Sequence, residues 1–93
     1  MRSNYAEAWN NLGMVSAQQG QEDEAIKNFE RSIEFRPTYV TALLNLGNLL
    51  RRKGKLADAQ KLLEQALEAS PNDPEANYSI GMLYARQNQL DRA

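Results

Sequence analysis

Three glycines, Gly13, Gly47 and Gly81, recur at a constant step of 34 along this chain of 93 residues. Around each of them a similar string returns: Trp9-Asn10-Asn11-Leu12-Gly13 aligns with Leu43-Leu44-Asn45-Leu46-Gly47 and with Asn77-Tyr78-Ser79-Ile80-Gly81. Other landmarks keep the register. Gly20, Gly54 and Asn88 align, as do Ala25, Ala59 and Ala93, then Phe29 with Leu63, Ser32 with Ala66 and Pro37 with Pro71. A fixed period of this length constrains a fold more than composition does, because each unit is one supersecondary element that buries its apolar face only by stacking on its neighbours. The chain therefore reads as an array, without one central core.

Counted from Ala6, the units run over 6–39 and 40–73, and a third begins at Pro74 and reaches its twentieth position at Ala93. Residues 1–5 read as the end of a preceding unit or an added remnant, with Asn4-Tyr5 matching Thr38-Tyr39. Both ends have the look of cuts through a longer array.

Within a unit the apolar spacing is helical. Trp9, Leu12, Gly13 and Ser16 fall on one face of a first helix, and Ala25, Phe29, Ser32 and Ile33 on one face of a second. No stretch shows the period of two that a strand requires. Asn4, Thr38 and Asn72 are N-cap residue types ahead of each first helix, and Glu7 and Glu75 follow two of them at capping-box spacing. Gly20, Gly54 and Asn88 accept the left-handed conformation that ends a helix, while Pro37 and Pro71 close the second helices. The prediction is two helices per unit.

Glycine inside a helix costs roughly 1 kcal/mol relative to alanine. At 13, 47 and 81 the expected compensation is close approach of the partner helix, with Ala25, Ala59 and Ala93 as small facing residues. A phosphate loop is the competing reading for Gly47 to Gly54-Lys55. It fails, because six residues separate the glycines where four are needed and Leu56 stands where Ser or Thr is required.

Composition narrows the function. There is no Cys and no His, so the usual thiolate nucleophiles, the commonest general base and the commonest metal ligands are missing. No catalytic residue, metal site or cofactor is expected. A formal charge of −1 argues against nucleic acid as a partner, since phosphate binding needs a clustered positive excess. No apolar run reaches the roughly 18 residues of a membrane span, and the start lacks a signal-peptide core. The expectation is a soluble chain, cytoplasmic by default, with no compartment address of its own.

The pattern W-x2-L-G-x2-Y, then G, then A-x3-F-x2-A, then P over 34 residues resembles the tetratricopeptide repeat across residues 4–93. The first unit carries Trp9, Leu12, Gly13, Gly20, Ala25, Phe29 and Pro37. The second carries Leu46, Gly47, Gly54, Ala59, Ala66 and Pro71, with Leu50 and Leu63 in place of the usual Tyr and Phe; the third carries Ile80, Gly81, Tyr84 and Ala93. Ser16 and Ser32 depart from the pattern and suggest looser packing in the first unit. The resemblance implies an all-α solenoid of helix-turn-helix repeats, two full and one truncated, wound into a right-handed superhelix with first helices on its concave wall. It also implies a non-enzymatic scaffold that binds a protein or peptide.

At 100° per residue the face opposite the core positions carries a mixture of amide, apolar and arginine side chains. From it Asn11, Met14, Leu44, Asn45, Asn48, Arg52, Tyr78 and Met82 are the expected peptide-binding residues, with Met14, Leu44, Tyr78 and Met82 as exposed apolar anchors. Asn11 and Asn45 share one register position and resemble the asparagine ladder by which members of the family hold a peptide backbone, an amide being both donor and acceptor. Solvated polar residues are the plainer reading, and Ser79 interrupts the ladder. The family's carboxylate clamp is not expected: of its positions only Asn45 matches, and Glu75 would repel a ligand carboxylate.

Arg51-Arg52-Lys53 with Lys55 is the one basic cluster, and Arg86 repeats Arg52's position. An acidic segment could dock there, but cations at a helix C-terminus also simply complement its dipole. At the other end of the chain, Ile80, Leu83, Tyr84 and Leu90 are expected to lack a partner helix and to drive self-association into a homo-oligomer. The rival to a peptide binder is thus a spacer or self-association module inside a larger multidomain protein, enzymatic or not.

Overall fold

A computed structural model describes the chain over residues 3–92, with side chains over 5–89. It contains helices α1 Ser3–Gln18, α2 Glu22–Phe35, α3 Val40–Arg52, α4 Leu56–Ala69 and α5 Pro74–Arg92, and no strand among the described residues. α1 packs most extensively on α2 and α3 on α4, while α2–α3 and α4–α5 contacts join the pairs in series. The molecule is accordingly elongated, 48 × 30 × 18 Å. It is the all-α repeat solenoid that the 34-residue period predicts.

The mid-helix glycines act as close-approach points. A Cβ on Gly13 would lie 2.6 Å from the Phe29 ring, and one on Gly47 would lie 2.8 Å from Leu63 Cδ2. Both side chains are buried, so the residue aligned with Phe29 in the next pair fills the same slot. At Gly81 nothing lies within 4 Å of such a Cβ, and the residue expected to face it, Ala93, lies outside the described residues.

The predicted stops hold for α1 and α3. Gly20 and Gly54 have φ of 79° and 86°. The Gln21 amide donates to Ser16 O and the Gly20 amide to Ala17 O, and Lys55 and Gly54 repeat this pattern with Leu50 and Arg51. These are Schellman motifs. Asn88 is different: α5 continues through it to Arg92, because an asparagine permits a helix end without imposing one.

The starts of α3 and α5 lie one residue later than the sequence suggested. α3 is preceded by Tyr39, with no side-chain cap, so Thr38 does not cap it. At α5 the cap is Asp73, not Asn72: Asp73 Oδ1 accepts from the amides of Glu75 at 2.8 Å and Ala76 at 3.1 Å. Pro74 explains the register, since its fixed φ suits the first helical position and leaves the residue before it as cap. Asn4 lies within α1, which already begins at Ser3, so it does not cap that helix as expected.

Ser16 and Ser32 are buried and do not loosen the first pair. Ser32 Oγ donates to Ala6 O at 2.6 Å, and Asn28 Nδ2 donates to Ser16 Oγ at 3.2 Å. Small polar residues thus tie α1 to α2 where α3 and α4 use Leu50 and Ala66 in the core.

Two register positions show how stacking sets burial. Leu46 and Leu49 on α3, and Ile80 and Leu83 on α5, are all within 8 % of full burial. Their counterparts on α1, Leu12 and Val15, are 48 % and 47 % exposed, so the expectation that Leu12 is core is corrected. This stripe faces the preceding helix pair, and α1 has none among the described residues. Together with Tyr5 and Phe35, whose rings meet edge to face with centroids 5.3 Å apart, it forms an apolar end surface.

Candidate functional site

α1 and α3 stand side by side and enclose a cavity of about 250 Å³. Met14, Ala17 and Gln18 of α1 form one wall, Asn45, Asn48 and Arg52 of α3 the other, and Glu75 at the start of α5 closes one end. Phe29 and Leu49 form its apolar floor. Of the eight residues expected to bind peptide, Met14, Asn45, Asn48 and Arg52 are brought together here. Residues spaced three, four and seven along α3 share one helical face, which is why Asn45, Asn48 and Arg52 converge.

Asn45 is partly committed. Its Nδ2 donates to Asn10 Oδ1 at 2.9 Å, and Asn10 in turn places its own Nδ2 3.7 Å from Met14 Sδ. Asn10 is 1 % exposed. The Asn45 side-chain oxygen makes no hydrogen bond among the described residues, while Asn48 keeps its amide donor and only accepts a long 3.5 Å contact from Arg51.

Leu44 is corrected from exposed anchor to core: it is 3 % exposed and clusters with Ala76, Ile80 and Leu83 of α5. It occupies on α3 the place that Asn10 occupies on α1, along the edge where neighbouring first helices meet. Tyr78 is the same position on α5 and is 67 % exposed. Met82 is 42 % exposed farther along α5, and Asn11 is exposed on α1, but neither these two nor Tyr78 line the cavity. Ser79, the ladder's third position, is buried. Phe29 and Leu49 were missed as floor residues; the available signal was Gly13, whose bare backbone lets Phe29 reach across α1.

The basic cluster is largely structural. Lys53 pairs with Glu22 at 3.1 Å. Arg86 donates from Nη1 to Arg51 O, satisfying a carbonyl of the last turn of α3. Arg51 is half-buried, which leaves Arg52 as the cation exposed beside the cavity.

The expected self-association residues separate. Ile80 and Leu83 are buried against the preceding helices and do not lack partners; Tyr84 is 47 % exposed with its hydroxyl 3.5 Å from Glu64 Oε2; the side chain of Leu90 lies outside the described residues. Ile80 and Leu83 belong to the stripe facing backward along the array, whereas Gly81 and Tyr84 are exposed.

No described helix is long and apolar enough to cross a membrane, and no group of three or more acidic, Cys or His residues is arranged to hold a metal among the described residues. No curated protein matches the chain. A tetratricopeptide repeat family model matches residues 4–72, and a second tetratricopeptide repeat model matches residues 62–93. With the helix pairs, the glycine slots and the period in agreement with these matches, the chain belongs to the tetratricopeptide repeat family.

Proposed function

We propose that the chain is a protein-binding scaffold, with repeats over 6–39, 40–73 and 74–93, whose first-helix wall takes an extended peptide segment at the cavity between α1 and α3. Repeats of this family are non-catalytic and mediate protein–protein interaction. The observation that carries the finer reading is the convergence of Met14, Asn45, Asn48 and Arg52 over an apolar floor. Met14 and the floor receive a side chain, Asn45 and Asn48 offer an acceptor and a donor to a peptide backbone, and Arg52 favours a ligand carboxylate nearby. Glu75 limits how much negative charge the site accepts. A peptide array probed with the labelled chain tests this. Binders should weaken severalfold with Asn48→Ala and Arg52→Ala and remain unchanged with Gln60→Ala on α4; the opposite pattern refutes the cavity as the site.

A second reading, self-association, is favoured by the α1 end surface of Tyr5, Leu12, Val15 and Phe35, with Tyr84 as a minor contributor at the other end. Sedimentation across concentration, with Leu12→Gln as the disrupting variant, tests it.

A further inference from the structure

A larger cavity, about 770 Å³, lies on the opposite wall, between α2 and α4. Its floor is aliphatic: Leu46 and Leu50 of α3 are buried, and Ile26 and Ile33 of α2 and Leu62 of α4 are partly so. Ile26 and Ile33 are seven positions apart, so the floor extends about two helical turns, roughly 10 Å, along α2. The two rims carry opposite charge. Glu30 and Glu34, exposed one turn apart, edge the α2 side; Lys55 and Lys61, also exposed, edge the α4 side, with Asp58 between them leaving that rim net positive. None of these five side chains forms an ion pair among the described residues, where Lys53 and Glu22 make the recorded one. The rim charges therefore face the open groove unneutralised.

We propose that this groove is a second docking site, separate from the cavity between α1 and α3, for a short amphipathic helix of another protein. The helix would lay aliphatic side chains one turn apart on Ile26, Ile33 and Leu62, with a basic flank over Glu30 and Glu34 and an acidic flank over Lys55 and Lys61. A two-turn apolar floor suits helix-in-groove recognition, and a volume of this size can enclose such anchors. Opposed rims fix the direction of the bound helix, because reversing it places like charges together.

The probe is a short Ala-based helical peptide with Leu at i, i+4 and i+7, Lys along one flank and Glu along the other. It is titrated into the chain with methyl chemical shifts as the readout. Saturable binding is expected, with shifts at Ile26, Ile33 and Leu62. Glu30→Lys with Glu34→Lys, both at exposed positions, should weaken it at least about tenfold, equivalent to about 1.4 kcal/mol. A second peptide with Glu on both flanks should regain the loss on that variant, and Asn48→Ala should leave binding unchanged. No saturation, indifference to the charge reversal, or shifts at Met14 instead of the isoleucines would each overturn the proposal. So would a dimer of the chain that the same reversal dissolves, since the groove's occupant would then be a second copy.

Discussion

Asn45 donates its side-chain amide to the side-chain oxygen of Asn10 across α1 and α3, at 2.9 Å. Asn10 is buried, so this bond satisfies an acceptor that water does not reach. The residue best placed by sequence to hold a peptide thus also holds two repeats together.

Asn45→Ala should consequently lower stability by about 1–3 kcal/mol, the cost of leaving a buried polar group unpaired. Asn48→Ala, which removes a 3.5 Å contact at a half-buried position, should cost less than about 0.5 kcal/mol. Urea unfolding of the two variants separates them. Equal stability would show that the Asn10–Asn45 bond contributes nothing in solution, and it would restore Asn45 as a clean probe of ligand binding.

Gly47 and Gly81 occupy the same register position with opposite surroundings. A methyl at Gly47 meets the buried Leu63 side chain at 2.8 Å, whereas one at Gly81 meets nothing within 4 Å. Gly47→Ala should therefore destabilise the chain by about 1–2 kcal/mol, overpacking outweighing the gain in helix propensity. Gly81→Ala keeps only the gain and should stabilise α5 by about 0.5–1 kcal/mol. Thermal melts of both variants decide the matter, and the sign of the difference is the test.

Helix number, pairing and the glycine slots were legible because they depend on periodicity and local backbone chemistry, which every unit repeats. Burial was legible only in part. Leu44 and Tyr78 share a position, yet Leu44 is covered by the following first helix and Tyr78 is not, a difference no property of either residue encodes. A helical angle sorts residues into core and free faces, but the edges of a wall are shared with neighbouring helices, and that is where Asn10, Leu44 and Ser79 are buried. The cavity between α1 and α3 was legible through Asn45, Asn48 and Arg52, which lie on one helix. The larger groove was not, because its floor and rims exist as one surface only once α2, α3 and α4 have packed together.

The start of α5 offers two adjacent candidates for its cap, Asn72 and Asp73, of which Asp73 accepts the two amide hydrogen bonds. Asp73→Ala should cost about 0.5–2 kcal/mol, and Asn72→Ala, exposed and without a capping contact, should be nearly neutral. Hydrogen exchange at the Glu75 and Ala76 amides reads the cap directly. Faster exchange on losing Asn72 instead would place the helix start one residue earlier.

Leu12 and Leu46 are the same residue at the same register position of consecutive units, 48 % and 3 % exposed. Leu46 is covered by the preceding pair through α2, and its truncation leaves a cavity beside Leu50, so Leu46→Ala should cost about 2–5 kcal/mol. Leu12→Ala removes a side chain still half in water and should cost under about 1 kcal/mol in the monomer, where no cavity forms. Denaturant titration at low protein concentration measures both. Raising the concentration adds a second readout: where copies of the chain cover the α1 stripe, Leu12→Ala loses stability relative to the unsubstituted chain as concentration rises, and where they do not, the small difference stays constant. Equal costs for the two leucines at low concentration would mean that the α1 stripe is covered within a single chain, contrary to the stacking that the fold displays.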